Sequence, residues 1–519
     1  MKHNFHHRLT VLALSLSLAC APIRAQTPGL PELGDGEGIS LSAERQLGDR
    51  IARELYRDPD YLEDPVLDDY IQQLWAPLVQ AAAARGELSP ELQARFAWRI
   101  LLGRDRSVNA FALPGGYLGV HLGLIAVVSS HDELASVLAH ELSHVTQRHI
   151  ARGMSDQSKM TPWVVGAMIL GALAASKSAQ GAQALIVGGQ AAAIQSQLSY
   201  SRDMEREADR VGYGILVDAG YDARGFVGMF GKLQQAAGLN DSGAFPYLRS
   251  HPLTSERMAD MQARQQLLPS TGPVPADLSQ AMLAARARVL SQNSPDALKA
   301  WILEAEQLSP QSTQAHKVGK RYAATLALAM QRDGPAAQRM LQALRQDLLG
   351  ASGQGAMSAQ RWLTLLTAEL AQRQGNAQDV PPLILATAPA ASLPRPELLA
   401  VAQALQSLPA HPLQADITRQ LRQRLLQAPH DAQAWNTLAA LLAAQGQALA
   451  GLRAEAEAQL ARLDWQGAID RFKAAQDLAR RGRLPLQAAE HIEASIVDAR
   501  LRYAQSRMAE LHEQSRTPR

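Results

Sequence analysis

The pentapeptide His140-Glu141-Leu142-Ser143-His144 constrains this chain more than any other stretch of it. Around it Leu134, Val137, Leu138, Leu142 and Val145 recur at helical spacing, which predicts a helix over Asp132–Ile150. Ser130, with Glu133 three places on, makes a capping box that starts it. Two histidines four apart on a helix differ by about 40° around its axis, so both imidazoles can reach one ion from the same side. Glu141 follows the first of them, where its carboxylate can take a proton from a metal-bound water without binding the metal itself. His149, five places beyond His144 and about 140° around the helix, is expected to be solvated. The bland alternative for the pentapeptide is a helix with two surface histidines.

A catalytic zinc takes three protein ligands and keeps one place open for water. His140 and His144 supply two, so the third must come from elsewhere. A second helix, predicted over Ser199–Ala219, carries Ser-Arg-Asp-Met-Glu-Arg-Glu-Ala-Asp-Arg-Val-Gly, in which Glu205 and Asp209 stand four apart on one face. Glu205 is the candidate third ligand, because Asp209, one turn later, can hydrogen-bond a ligand imidazole from behind. Glu207 is its direct rival, and an ordinary solvent-facing acid is the plain alternative for both.

With 519 residues the chain is too long for one small core, and two or three domains are expected. A formal charge of +2 and the absence of basic blocks interleaved with aromatics argue against nucleic-acid binding. Lys2 and Arg8, the apolar stretch Leu9–Ala21 and the small residues after it have the pattern of a cleaved signal peptide over residues 1–25, so the protein is expected to be exported. The rival reading lipidates Cys20, the one cysteine. Cutting after Ala25 removes three cations and no acid, moving the formal charge from +2 to −1.

After a Gly-, Pro- and acid-rich leader up to Ile39, helices are predicted over Ala43–Tyr56 and Pro65–Arg85. Strands are predicted over Phe96–Leu102, Ser107–Leu113 and Tyr117–Leu122, the last two joined by Pro114-Gly115-Gly116, with the His140 helix directly behind them. Trp163–Ala175 and Ala182–Ile194 are apolar runs of 13 residues each, short of the roughly 20 that cross a bilayer, so no integral membrane segment is expected. They read equally as a helical hairpin over the active site or against a greasy partner, and as buried core helices. Leu268–Ala276, with three prolines and a glycine, reads as a linker between residues 26–267 and 277–519. The latter half is helix-like, and Ala336-x3-Met340-x2-Ala343, Trp362-x2-Leu365, Trp435-x2-Leu438 and Ala468-x3-Phe472-x2-Ala475 resemble the marks of irregular tetratricopeptide-like helix pairs. A plain helical bundle is the alternative.

The blocks Asn109–Val120, His140–His144, Glu205–Asp209 and Ser250–Arg257, in that order, resemble the M48 family of zinc metallopeptidases, over roughly Leu41–Leu267. The leader and the helical second half make the chain similar to the BepA-type periplasmic peptidases of Gram-negative bacteria. The resemblance implies a mainly α fold with a small β-sheet, a gluzincin-type metallopeptidase domain followed by a helical tetratricopeptide-like repeat domain. It implies one zinc ion per subunit on His140, His144 and Glu205, with Glu141 as catalytic base and Asp209 supporting a ligand. It also implicates His251, as an inhibitory fourth ligand or as a stabiliser of the oxyanion; a histidine before Pro252 that merely caps a helix is the alternative. A substrate is expected to lie extended along Asn109, Ala110, Phe111, Ala112 and Leu113, pairing backbone to backbone, with Gly115 and Gly116 permitting close approach. The implied function is a zinc endopeptidase and chaperone for outer-membrane protein assembly. Its implied clients are unfolded or misassembled outer-membrane proteins, with the outer-membrane barrel-assembly machinery as a partner of the repeats. The rival is a chaperone or adaptor whose metal site is self-inhibited.

Overall fold

The computed structural model describes residues 39–155, 201–238, 245–267, 277–351, 354–408, 410–481 and 488–516. The signal-peptide expectation, both apolar runs of the hairpin and the Leu268–Ala276 linker lie outside these residues. Ser40 Oγ accepts the Ala43 amide and starts α1 (Leu41–Arg57); Asp64 and a proline at the first helical position start α2 (Pro65–Ala84). A short α3 (Pro90–Arg95) leads into the sheet.

The sheet has four strands, β1 (Tyr61–Leu62), β2 (Arg99–Gly103), β3 (Ala110–Leu113) and β4 (Tyr117–His121), in the order β1-β2-β4-β3. The two-residue β1 has no readable pattern in the sequence, and the others are shorter than expected. β3 and β4 form the antiparallel pair that the Pro-Gly-Gly turn predicts, while β2 joins β4 in parallel. Gly115 and Gly116 take φ of 71° and 82°, and a Cβ on them would meet Arg45 and Phe96 at 2.8 Å. Both glycines let other parts of the protein's own chain approach closely. A short α4 (Leu122–Val127) separates β4 from α5 (His131–Thr146), so the His140 helix does not follow the hairpin directly.

Ala110, Ala112, Leu118 and Val120 are buried in one core with Leu134, Leu138 and Leu142 of α5. Across it lies α7 (Arg202–Asp218), preceded by α6 (His149–Ser155). A Cβ on Gly212 of α7 would stand 3.0 Å from the Ala139 carbonyl oxygen, so glycine there lets the two helices approach closely at the height of His140. The chain continues through α8 (Arg224–Gly238), α9 (Tyr247–Ser250) and α10 (Ser255–Gln266).

The elements described beyond Asp277 are all helices joined by turns, beginning with α11 (Leu278–Ser291). One continuous core runs from Leu62 to Ala454, across the expected domain boundary. Arg286 of α11 is buried and grips Asp64 through two bonds of 2.8 and 2.6 Å, and Glu369 at 2.8 Å. Farther on, Arg462 holds Glu63, and Leu463 packs with Leu47, Leu113 and Tyr117. No helix of the described residues is long and apolar enough to cross a membrane.

Asp277 caps α11 through the Gln280 amide and takes a 2.7 Å hydrogen bond from His131 Nδ1 at the start of α5. That bond raises the His131 pKa, against the opposing effect of burial. Burial would raise Asp277, yet His131 and the capped amides bring it below its ordinary value. Through His131 the stabilisation is complete below about pH 6.5 and is lost as pH rises through the raised value; through Asp277 it is complete above about pH 3.9 and is lost as pH falls through the lowered one. The clamp is thus strongest between these two limits. In an NMR titration of ring-labelled histidine, His131 is expected to titrate above its ordinary value and to fall back in Asp277→Asn; an unchanged midpoint in that variant would contradict this.

Candidate metal centre

Four buried side chains from three places in the sequence meet at the crossing of α5 and α7. The Ser130 hydroxyl accepts the Glu133 amide at 3.2 Å, and the Glu133 carboxylate accepts the Ser129 amide at 2.6 Å, which sets the register of α5. His140 and His144 then face α7, where Ser201 caps the Met204 amide and Glu205 points back at them. His251 arrives from the turn after α9. One ligand atom from each of His140, His144, Glu205 and His251 lies within 4.8 Å of the others.

The Nε2 atoms of His140 and His144 are 3.0 Å apart, and His251 Nδ1 stands 3.3 Å from His140 Nε2 and 2.9 Å from Glu205 Oε1. His144 Nε2 lies 3.4 Å from the same carboxylate oxygen. Three imidazoles and a carboxylate crowded together in a dry interior offer more lone pairs than protons. This donor set suits a divalent cation of borderline softness.

Behind the ligands stands a second ring of bonds. His140 Nδ1 is 3.0 Å from Asp209 Oδ1, and Arg257 of α10 grips Asp209 through two bonds of 2.5 and 2.7 Å while its third nitrogen reaches Glu205 at 2.7 Å. Burial would push Glu205 up, but the facing histidines hold it well below the usual carboxylate range. Asp209, likewise disfavoured by burial as an anion, is brought down by Arg257 and His140. Burial drives His144 well below its ordinary value and keeps it neutral. Burial also opposes charge on His251, yet Glu205 and Glu141 raise it. Glu141 is fully buried; its Oε2 accepts the Ala112 amide at 2.9 Å and its Oε1 lies 3.4 Å from His251 Nε2.

His149 corrects an expectation. It is 1% exposed, not solvated, with Nδ1 2.8 Å from His144 Nδ1 and Nε2 3.1 Å from Glu207. α5 stops at Thr146, and Arg148 takes a φ of 51°, so the chain turns back and the helical phase that predicted exposure no longer applies. Glu207, the rival for Glu205, faces this histidine instead of the ligand cluster.

The candidate substrate strand is also specified. Phe111 and Leu113 pair with Gly119 and Tyr117, and Asn109 accepts the His121 amide, so their backbone groups face β4. Ala110 and Ala112 turn theirs to the outer edge, where Ala112 N–H already meets Glu141. Tyr247 donates to the Val108 carbonyl at 3.3 Å at the start of that edge, and its ring stacks on His251 at 4.5 Å. The residues that carry His251 thus begin at the strand itself. The sequence alone assigns no role to Arg257 or to the Ala112 amide, although Arg257 closes the Ser250–Arg257 block at the start of a helix that Thr254 caps.

Residues 69–265 match Peptidase family M48. These residues form an M48 peptidase domain. A Vibrio cholerae relative is 34% identical over 305 residues, 57% of this chain and 60% of the relative. The beta-barrel assembly-enhancing protease of Escherichia coli K12 is 31% identical over 304 residues, covering 56% of this chain and 59% of its own length. The mitochondrial metalloendopeptidase OMA1 of Arabidopsis thaliana is 32% identical over 198 residues, 38% of this chain and 36% of its own. The matched part thus spans about 60% of the length of the nearer relatives. The M48 domain contains every residue of the cluster.

Proposed function

We propose that the protein is a periplasmic zinc endopeptidase that acts on unfolded or misassembled outer-membrane proteins and assists their assembly. The observation that carries the catalytic part is the buried convergence of His140, His144 and Glu205 with Glu141 alongside. On a tetrahedral zinc with bonds of about 2.0–2.1 Å, ligand atoms lie about 3.3 Å apart. The separations among His140, His144 and Glu205, 3.0, 3.4 and 3.6 Å, bracket that value. These three residues would hold the ion, which would supply Lewis-acid chemistry, lowering the pKa of water to about 7 and polarising a carbonyl.

The chain's own residues do the rest. Glu141 takes the proton of the attacking water and returns it to the departing amine. Asp209, fixed by Arg257, orients His140. The outer edge of β3, buried in this structure at Ala110 and Ala112, would once uncovered offer the backbone of Ala110 and the Ala112 carbonyl to an extended peptide, a pairing that reads conformation more than sequence. Unpaired strand edges of β-barrel proteins that have not yet closed are substrates of that kind. The names of the bacterial relatives support such clients, and the helical C-terminal region, read as tetratricopeptide-like repeats, suits contact with the barrel-assembly machinery.

One observation favours a self-restrained enzyme: His251 occupies the cluster at 2.9 Å from Glu205 and stacks on Tyr247 at the substrate edge. It then stands where substrate or water must enter. His251→Ala is expected to raise hydrolysis of denatured casein severalfold; loss of hydrolysis would instead make this histidine a stabiliser of the oxyanion. The reading as a whole is tested on the purified protein by casein cleavage that a zinc chelator abolishes and added zinc restores. Protein that binds no zinc and cleaves nothing would refute it, and the chaperone alternative would then stand.

A further inference from the structure

We propose that His149, backed by Glu207 and Arg152, is a positioning residue for the metal ligand His144, an inference that rests on the metallopeptidase reading above. The two imidazoles meet Nδ1 to Nδ1 at 2.8 Å, a distance that requires a single proton between them. If His149 donated it, a neutral His149 would turn the lone pair of Nε2 toward the Glu207 carboxylate, 3.1 Å away, setting two acceptors face to face. If His144 donates, both contacts are satisfied: His144 Nδ1–H to His149 Nδ1, and His149 Nε2–H to Glu207. Only the second arrangement turns the His144 Nε2 lone pair into the cluster, as a metal ligand needs.

Glu207 is itself held by Arg152 at 2.9 Å. Each ligand histidine therefore has an acceptor behind it and an arginine behind that: Asp209 and Arg257 for His140, His149 then Glu207 and Arg152 for His144. The local chain is shaped for this arrangement. Arg148 adopts a left-handed conformation uncommon outside glycine, and its side chain is held at 3.1 Å by the buried Glu44 of α1. The turn that results drops the ring of His149 beneath that of His144.

Zinc affinity of the full chain, measured by competition with a chromophoric chelator, tests the assignment. His149→Leu removes the acceptor and is expected to weaken zinc binding about 10- to 100-fold. His149→Asn, whose side-chain oxygen lies close to where Nδ1 was, is expected to recover most of that loss. Melting of the zinc-free proteins separates positioning from packing. Wild-type affinity in His149→Leu overturns the proposal, as does equal weakening in both variants accompanied by equal destabilisation of the zinc-free fold. A wild-type protein that takes up no zinc overturns the metallopeptidase reading and this proposal with it, which distinguishes the two failures.

Discussion

Replacing Glu141 with Gln is expected to abolish peptide-bond cleavage while leaving both the fold and zinc uptake intact. The side chain is fully buried, so shape governs whether the variant folds, and the amide is nearly isosteric with the carboxylate. A glutamine can keep its oxygen on the Ala112 amide, now 2.9 Å from Glu141 Oε2, and turn its NH2 toward His251. What it cannot do is accept a proton. General-base catalysis of this kind contributes roughly 10²–10⁴-fold, so residual casein hydrolysis should lie at or below about a hundredth of the wild-type rate. Because Glu141 lies outside the ligand cluster, the zinc-to-protein ratio should not move. Hydrolysis at more than about a tenth of wild type would remove Glu141 from the mechanism. A Glu141→Gln variant that fully complements a deletion strain would shift the biological role to chaperoning.

Local features of the site were legible in the sequence, and those that depend on a crossing or a change of phase were not. His140 and His144 could be paired because helical geometry alone relates residues four apart, and Ser130 announced the start of their helix. Glu205 and Asp209 could be placed on one face of α7 and offered as partners of the two histidines, but the crossing that brings α7 onto α5, close enough for Gly212 to meet the Ala139 carbonyl, has no local signal. His149 escaped because the sequence Gln147-Arg148 contains neither glycine nor proline, yet the helix ends there and Arg148 turns left-handed. The strands were found where aromatic and branched residues sit beside a Pro-Gly-Gly turn, whereas β1 has only two residues and its pairing with Gly103 and Leu102 carries no periodic signal. The Pro-rich segment at 268–276 reads as a linker, but the buried bonds between Arg286 and Asp64 join residues 222 positions apart, and such long-range pairs have no sequence signature.

The second large effect is expected at Arg257, where Leu in place of Arg should destabilise the M48 domain by roughly 3–5 kcal/mol. The guanidinium is 4% exposed and touches two buried carboxylates at once, Asp209 through a fork of 2.5 and 2.7 Å and Glu205 at 2.7 Å, and it also caps the Pro252 carbonyl at 2.8 Å. Leucine fills much of the space and compensates none of those charges. Glu205 and Asp209 would then have to take up protons or remain as uncompensated anions, and either path costs folding energy in a dry interior. The melting temperature of the metal-free protein should fall by about 10 °C, with Arg257→Lys intermediate because an ammonium keeps the charge but cannot match the two oxygens of Asp209. Zinc should narrow the gap, since a cation on Glu205 replaces part of the charge that Arg257 supplied; the narrowing should be incomplete, because Asp209 gains nothing from it and His140 loses its orientation. A metal-free Arg257→Leu protein melting within about 2 °C of wild type would mean that these carboxylates do not depend on the arginine, and the support assigned to His140 would have to be sought in other residues.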